Sequence, residues 1–443
     1  MALVEIAVDK VFGGNKRKGE EALADQRRAH VKAEAEKYIH THSPEQRLSL
    51  GAELEIDQSW AVNDSPDRQL LSDTEKLELE AESQQWAEDY GVWHPLTGPA
   101  YNTMALDAHE FAFKNQKERA RARLACDVYN LLYYFDDLLS NDRGKTLSEA
   151  DKSAAKSLMV TLLLKLNKKC GSLGKPDLVF ASLIRVTSAR VELPAAFQGI
   201  LPAMTDIMNR IDTLADAQWQ KKFYSLLVNH LVDANADHDG DDRLTDTEWY
   251  VPTRREVAGM PVMLALAELI AGGALNRKAL DRELPLLAGN TFSEMLQTLE
   301  ESVMDIGGIW NDMISAPKEI LRDKTVFNII SVHCLKLIEE RKFESFEQVL
   351  REVIAIYGVG YRQKFDAAYQ QLSQYLDHNQ ARLEPEVFEH VRHYVYALRR
   401  IVIGTWDWQH GRGKGRYEAN PENGVPEHFF QDFQSLVPAL ARV

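Results

Sequence analysis

The sequence predicts an all-α protein. Strict apolar/polar alternation, the mark of half-buried strands, is scarce, whereas apolar residues recur with a 3.6-residue period from about Ala22 onward, among Leu, Ala, Glu, Lys and Arg. Prolines such as Pro95, Pro99, Pro176, Pro194, Pro252 and Pro385 sit mostly between the periodic segments, where they punctuate helices rather than interrupt them. These patterns accommodate on the order of a dozen helices of ordinary length. No internal repeat is visible.

The chain divides unevenly. Residues 1–71 read as an N-terminal extension of unknown role, partly helical or disordered: one charged helix, roughly Glu21 to His40, lies between the polar stretches NKRKGEE and SWAVNDSPDRQ. From Ser72 to the C-terminus, residues 72–443, amphipathic helices follow one another without a linker-like break, which predicts one large bundle. At 443 residues and 45% hydrophobic, the chain can bury a sizeable core.

Charge narrows the function. The net charge of −15 argues against broad nucleic-acid binding, which needs a positive footprint. It leaves room for an anionic substrate met by local cations or metal ions. The three cysteines, Cys126, Cys170 and Cys334, have neither zinc nor redox spacing and read as buried thiols of a reducing compartment. The N-terminus lacks an apolar run of signal-peptide length. The most apolar segment, Pro261 to Leu275, is too short to span a bilayer and carries Glu268. The expectation is a soluble, cytoplasmic protein with no membrane span, monomeric or homodimeric.

Two oxygen-rich segments stand out. The first ends the helix ARLACDVYNLLYYFDDLLSND, residues 122–142, which is apolar all round and so predicted to be central. Asp136, Asp137, Ser140, Asn141 and Asp142 cluster at its C-terminal end. Carboxylates there oppose the helix dipole and are costly to bury. A bound divalent cation resolves both problems, and Mg²⁺ needs only one or two protein carboxylates; alternatively the helix simply leaves the core there and turns polar.

The second segment is WNDMISAPKE, residues 310–319. Asn311 and Ser315, four apart, share a helix face with a rise of about 6 Å and reach one ion. Glu319 lies about 12 Å along a straight helix from Asn311. Pro317 removes a backbone hydrogen bond and should bend or end the helix, carrying Glu319 back toward the other two. Gly307 and Gly308 precede them. Each costs about 1 kcal/mol in a helix relative to alanine, which implies that something approaches the backbone closely there.

Together these residues resemble a class I terpene cyclase, the family that ionises linear isoprenyl diphosphates. FDDLLSND resembles its aspartate-rich motif, and NDMISAPKE matches its N-D-x-x-S-x-x-x-E motif in full. WYVPTRREVAGM resembles the segment before a broken helix, with Arg255 as diphosphate sensor and Gly259 as the effector position; GRYEAN supplies the Arg416–Tyr417 pair, and Lys318 matches a diphosphate-contacting lysine. The resemblance covers about residues 72–443. It departs at Ser140, where the fuller pattern has Asp or Glu, and at Ala258, whose side chain cannot bond Arg255.

The resemblance implies a single class I helical bundle around a central cavity. It also implies three Mg²⁺ ions (Mn²⁺ substituting), with Asp136 bridging two and Asn311, Ser315 and Glu319 chelating the third. Asp136, Asp137, Arg255 and Gly259 take catalytic roles, and Arg255, Lys318, Arg416 and Tyr417 bind diphosphate. The substrate it implies is farnesyl diphosphate, with geranylgeranyl diphosphate as the alternative, cyclised to a sesquiterpene-type hydrocarbon or alcohol. Helical steps back from Asp136 and Asn311 give cavity-wall candidates Tyr129, Leu132, Tyr133, Met304, Gly307 and Gly308, with Trp406 and Trp310 added. The loop GRGKGRY, just after Trp406 and Trp408, reads as a lid.

Two other classes compete. A chain-elongating prenyl synthase should carry two aspartate-rich motifs, and here the second is Asn/Ser/Glu. A non-catalytic calcium-binding scaffold rests on NADHDGDDRLTD, residues 235–246, which resembles an EF-hand loop but has Asn235 at position 1, Asp246 at position 12 and Asp242 where an apolar residue is usual. A solvated acidic loop is the favoured reading of that stretch.

Overall fold

The computed structural model describes residues 18–56, 71–94, 98, 104–107, 115–139, 148–170, 194–234, 236, 238–418 and 427–433. No named strand occurs among them, only an isolated bridge between Leu287 and Asn290. The principal helices are α1 (Lys18–Thr41), α2 (Asp73–Asp89), α3 (Gln116–Leu139), α4 (Glu149–Cys170), α5 (Ile200–Leu214), α6 (Ala217–Asp233), α7 (Thr247–Val257), α8 (Met260–Ala271), α9 (Phe292–Pro317), α10 (Ile329–Glu339), α11 (Phe346–Val353), α12 (Gly360–Asn379) and α13 (Pro385–His410).

Local chemistry sets the helix starts. Reciprocal capping boxes open α2, through Ser72 and Glu75, and α9, through Thr291 and Glu294. Asp216 caps α6 and Asp246 caps α7, each carboxylate accepting backbone N–H groups of the first turn.

Helix α8 is the centre. All of its residues are buried, and it packs against α3, α6, α9 and α13. Its one charged residue, Glu268, accepts from Lys222 Nζ at 2.8 Å and from Leu275 N at 3.2 Å. The apolar run that raised the membrane question is therefore a core helix. No described helix is long and apolar enough to cross a membrane. Around α8, α3 packs against α2 and α5, α6 against α4, and α9 against α7, α12 and α13. A buried carboxylate ties one side together: Asp127 on α3 pairs with Arg123 and with Arg210 of α5 at 2.7 Å, and accepts from Ser83 of α2 at 2.7 Å. Cys126 and Cys334 are buried free thiols, both pushed up to about 12 by burial.

The segment expected as an extension docks on the bundle. Helix α1 packs against α10, α11 and the turns that follow α9. Arg28 donates to Asp239 Oδ2 at 2.8 Å, and Arg27 to the Asp241 carbonyl at 3.0 Å. Farther on, the N- and C-terminal segments interlock. Buried Arg47 donates to the His428 carbonyl at 2.8 Å, Gln431 N to the Leu48 carbonyl at 3.0 Å, and Gly51 N to Asp432 Oδ2 at 2.7 Å. His428, fully buried, bonds the Ile314 carbonyl of α9 at 2.9 Å.

Candidate active site

Asp136, Asn311, Ser315, Lys318, Glu319, Arg416 and Tyr417 line one cavity of about 570 Å³. The two oxygen-rich segments therefore face a shared chamber. Asp136, at the end of α3, is exposed to it, whereas Asp137 is turned inward and buried, its Oδ1 3.6 Å from Arg416 Nη1. Ser140, Asn141 and Asp142 lie outside the described residues.

Pro317 does not end α9. The chain continues directly into wider, π-helical turns at Lys318–Asp323. Proline has no N–H to give to the α ladder, and the wider turn absorbs that loss while re-aiming the residues beyond it. Glu319 thus faces the same chamber as Asn311 and Ser315.

The oxygens there suit a hard cation. Ser315 Oγ donates its proton to the Asn311 carbonyl at 2.7 Å, which turns its lone pairs outward. Asn311 Oδ1 accepts one N–H, from Arg254 Nη2 at 2.9 Å, and keeps a second acceptor site. Glu319 Oε2 accepts from Asn328 Nδ2 at 2.7 Å, and no described residue hydrogen-bonds Oε1. Burial, then the neighbouring Asp312 carboxylate, push the Glu319 carboxyl up to about 7. A cation beside it would relieve both effects. No group of three or more His, Cys, Asp or Glu side chains is placed to hold a metal among the described residues. The α9 set is instead an amide, a hydroxyl and one carboxylate, oxygen ligands of the kind Mg²⁺ accepts.

Behind these ligands lies a second layer that the sequence did not announce. Asp312, fully buried, accepts from Arg254 Nε at 2.5 Å, from Ile329 N at 3.1 Å and from the Tyr250 hydroxyl. Asn328 Nδ2 also donates to the Asp312 carbonyl at 2.7 Å. Asn311 Nδ2 donates to the Tyr417 hydroxyl at 3.2 Å, linking α9 to the C-terminal loop.

Several expectations are corrected. Arg255 does not line the cavity: it is ion-paired with Asp305 at 2.6 Å and lies near Glu301 at 3.8 Å on the outer side of α9. One residue shifts the helix phase by about 100°, and Arg254 is the arginine that faces the chamber. Gly259 is at the cavity, in left-handed backbone (φ 68°) at the break between α7 and α8, so its placement agrees with the broken-helix reading.

Tyr129, Leu132, Tyr133 and Gly307 line the chamber, whereas Met304, Gly308, Trp310 and Trp406 do not. Trp406 packs edge-on against Trp310 and lies tilted over the face of His410, with ring centroids 3.8 Å apart, on the side where residues 47–51 meet residues 428–432. The two glycines of α9 admit other helices rather than a ligand. A Cβ on Gly307 would stand 2.3 Å from Met260 Cε, and one on Gly308 3.3 Å from Arg254 Cγ.

The loop after α13 folds inward. Gly413 lies against the Trp408 ring, where a Cβ would come within 2.5 Å, and Arg412 pairs with Glu80. Arg416 and Tyr417 are thereby brought to the cavity, with the Arg416 guanidinium 5.4 Å from the Tyr133 ring centre. Burial raises the phenols of Tyr129, Tyr133 and Tyr417, so all three stay neutral.

The stretch compared with a calcium loop is engaged elsewhere. Asp239 Oδ1 accepts from Thr325 Oγ1 at 2.7 Å, Val326 N at 3.0 Å and Phe327 N at 3.1 Å; Asp241 pairs with Arg243; and Asp246 caps α7. Asn235 and Asp237 lie outside the described residues.

Comparison with known proteins agrees with this geometry. The family model described as terpene synthase family 2, C-terminal metal binding, matches residues 127–353, just over half of the chain. No curated protein matches the chain by sequence. Among solved structures, a variant of cucumene synthase aligns at a TM-score of 0.53 and 18% identity, covering 80% of this chain and 100% of its own. Germacradien-4-ol synthase from Streptomyces citricolor aligns at 0.51 and 14%, covering 78% and 98%. Linalool/nerolidol synthase from Streptomyces clavuligerus, in complex with 2-fluorogeranyl diphosphate, aligns at 0.50 and 16%, covering 77% and 99%. At such identities the structures speak to the shared all-α fold, while the family match spans both oxygen-rich segments: the chain belongs to terpene synthase family 2 and is a terpene synthase.

Proposed function

We propose that the protein is a Mg²⁺-dependent cyclase that ionises farnesyl diphosphate, closes the resulting carbocation into a ring and releases diphosphate. The observation that carries this is one chamber lined by two kinds of side chain. Oxygen donors and cations, among them Asp136, Asn311, Ser315, Glu319, Lys318 and Arg416, share it with aromatic and apolar groups, among them Tyr129, Leu132, Tyr133, Met260, Met263 and Leu266. Its volume, about 570 Å³, is typical of small-molecule sites.

Asp136 would hold Mg²⁺ from α3, and Asn311, Ser315 and Glu319 from α9. Bound there, the ions would neutralise charge growing on the leaving diphosphate. Lys318, Arg416 and the Tyr417 hydroxyl donate to the same anion. Arg254 adds its Nη1, which no described residue hydrogen-bonds, and takes the role the sequence had given to Arg255. Such donors act best where water is excluded, and the loop after α13 brings Arg416 and Tyr417 into the chamber's wall. Neutral aromatic faces at Tyr129 and Tyr133 steady positive charge by about 0.5–2 kcal/mol each without bonding to it.

The test is incubation of purified protein with Mg²⁺ and geranyl, farnesyl or geranylgeranyl diphosphate, followed by gas chromatography–mass spectrometry of a hexane extract and a diphosphate assay. A cyclic C15 product with stoichiometric diphosphate is expected from farnesyl diphosphate. Cyclic C20 products alone would reassign the substrate to geranylgeranyl diphosphate, and elongated diphosphates would replace the cyclase reading altogether.

A further inference from the structure

A carbocation confined in an apolar chamber has to lose a proton or capture a nucleophile before it leaves. The groups that line this cavity and can take a proton are few, and most are committed. Asp136 and Glu319 belong to the metal set. Asp239 accepts from Thr325, Val326, Phe327 and Arg28. Asp323 pairs with Arg322 at 2.6 Å. The His238 ring is stacked on Phe327, with centroids 4.4 Å apart, and meets Trp249 edge-on, while its Nε2 bonds the Asp233 carbonyl at 2.9 Å. The phenols of Tyr129 and Tyr133 are poor acceptors, since protonating them makes an oxonium.

His230 differs from all of these. It sits in the last turn of α6, lines the cavity, and packs over the α7–α8 break, where a Cβ on Gly259 would lie 3.1 Å from its Cε1. Its Nδ1 is 2.9 Å from the Glu256 carbonyl. A carbonyl oxygen only accepts, so Nδ1 carries the proton of that hydrogen bond. In the neutral ring this leaves Nε2 as a bare lone pair, and no described residue hydrogen-bonds it. Burial lowers the basicity of the ring, with Asp233 and the Glu256 bond opposing the shift and Arg254 reinforcing it, so the imidazole is neutral at rest. The fold thus fixes both tautomer and ring position at the wall of a chamber built for cations.

We infer that His230 is the base that ends the cyclisation. The C–H bond beside the cationic carbon breaks, its electron pair becomes the π bond of the product alkene, and the proton passes to His230 Nε2. The imidazolium then returns that proton to water when the product leaves. The inference rests on the cyclase reading and adds to it which residue closes the reaction: the main product is an alkene formed by proton loss on the side of the chamber nearest the α7–α8 break.

The experiment uses the full chain with His230→Asn, whose amide N–H replaces Nδ1–H toward Glu256 while the basic nitrogen is lost. Farnesyl diphosphate and Mg²⁺ are supplied, and diphosphate release and the hydrocarbon profile are measured side by side. The expected result is diphosphate release within about tenfold of wild type, with the main alkene falling at least fivefold as a share of product in favour of isomeric alkenes or water-quenched alcohols. An unchanged product distribution overturns the assignment, whether turnover is retained or lowered, because a group that only props the helix break would alter rate without redirecting proton loss. His230→Gln, read in the same way, is the second variant should the asparagine protein lose its helical circular dichroism. Failure of the wild-type protein to release diphosphate sinks the cyclase reading instead, so the two failures are distinguishable.

Discussion

Arg254 holds two neighbouring residues of α9 at once: its Nη2 donates to Asn311 Oδ1 at 2.9 Å and its Nε to Asp312 Oδ1 at 2.5 Å. One guanidinium therefore orients a proposed metal ligand and neutralises the buried carboxylate beside it. Arg255, one residue on, is spent on a partly exposed pair with Asp305. Arg254→Ala should lower kcat/KM by about 10²-fold or more, as loss of a preorganised donor does. It should also cost about 3–5 kcal/mol of stability, because Asp312 is left charged and buried. Arg255→Ala should keep kcat/KM within a few-fold of wild type and lose about 1–3 kcal/mol, because the mostly buried Asp305 loses its partner. Diphosphate-release kinetics and urea unfolding of the two variants decide this. The reverse ranking would return the sensor role to Arg255.

Metal dependence gives the second prediction. Asn311→Ala and Glu319→Ala should nearly abolish turnover while leaving the circular dichroism and unfolding midpoint close to wild type, since their side chains serve the chamber rather than the core. Ser315→Ala should retain more activity, with the Mg²⁺ concentration for half-maximal rate raised about 10- to 100-fold. Chelation with EDTA should stop turnover, and Mg²⁺ or Mn²⁺ should restore it. Wild-type rates in either Asn311→Ala or Glu319→Ala would remove α9 from the metal site.

Acid should loosen the terminal clamp. Burial lowers the imidazole of His428 to about 3 and that of His410 to about 4. Each is neutral when folded and titrates near 6.5 when unfolded. Their contribution to stability is therefore complete above about pH 6.5 and is lost as pH falls toward the folded values. The unfolded chain gains a proton that the native chain refuses, at about 1.4 kcal/mol per pH unit for each ring. The urea midpoint should fall markedly between pH 7 and pH 5. His428→Asn should start lower at pH 7 and show a shallower slope. A midpoint flat across that range would contradict the burial of these rings.

The parts of the site that could be read from the sequence depend on spacing within one element. Asn311, Ser315 and Glu319 share a helix and its continuation, and Tyr129, Leu132, Tyr133 and Asp136 share another, so periodicity alone places each set on a face. What escaped depends on phase between elements. The apolar pattern of α7, with Pro252 inside it, does not settle whether Arg254 or Arg255 faces inward; the contact with Asp312 does. Asp239 reads as a loop carboxylate, yet it holds Thr325, Val326 and Phe327 just after the turns that carry Glu319, and receives Arg28 from α1. Those partners lie far off in sequence, and no local signal announces them. The twin glycines could be recognised as a close approach, but not as an approach by α7 and α8.

That approach carries the last prediction. Gly307 lines the cavity, and a Cβ built there would lie 2.3 Å from Met260 Cε and 2.5 Å from its Sδ. Methionine is flexible, so in Gly307→Ala its side chain should swing aside, and the open direction is the chamber that Met260 already lines. Overpacking should cost about 1–3 kcal/mol. The narrowed chamber should favour smaller or earlier-quenched products while leaving the diphosphate end, and hence the ionisation rate, within several-fold of wild type. Adding Met260→Ala should restore room, so the double variant should recover much of the wild-type profile, a non-additivity expected only of residues in contact. Gly308→Ala provides the contrast. Its Cβ would press on Arg254 Cγ at 3.3 Å, so that variant should lose rate with little change in product ratios. Gas chromatography with a parallel diphosphate assay separates the two effects. Identical behaviour of the two alanine variants would show that the glycines serve helix packing alone.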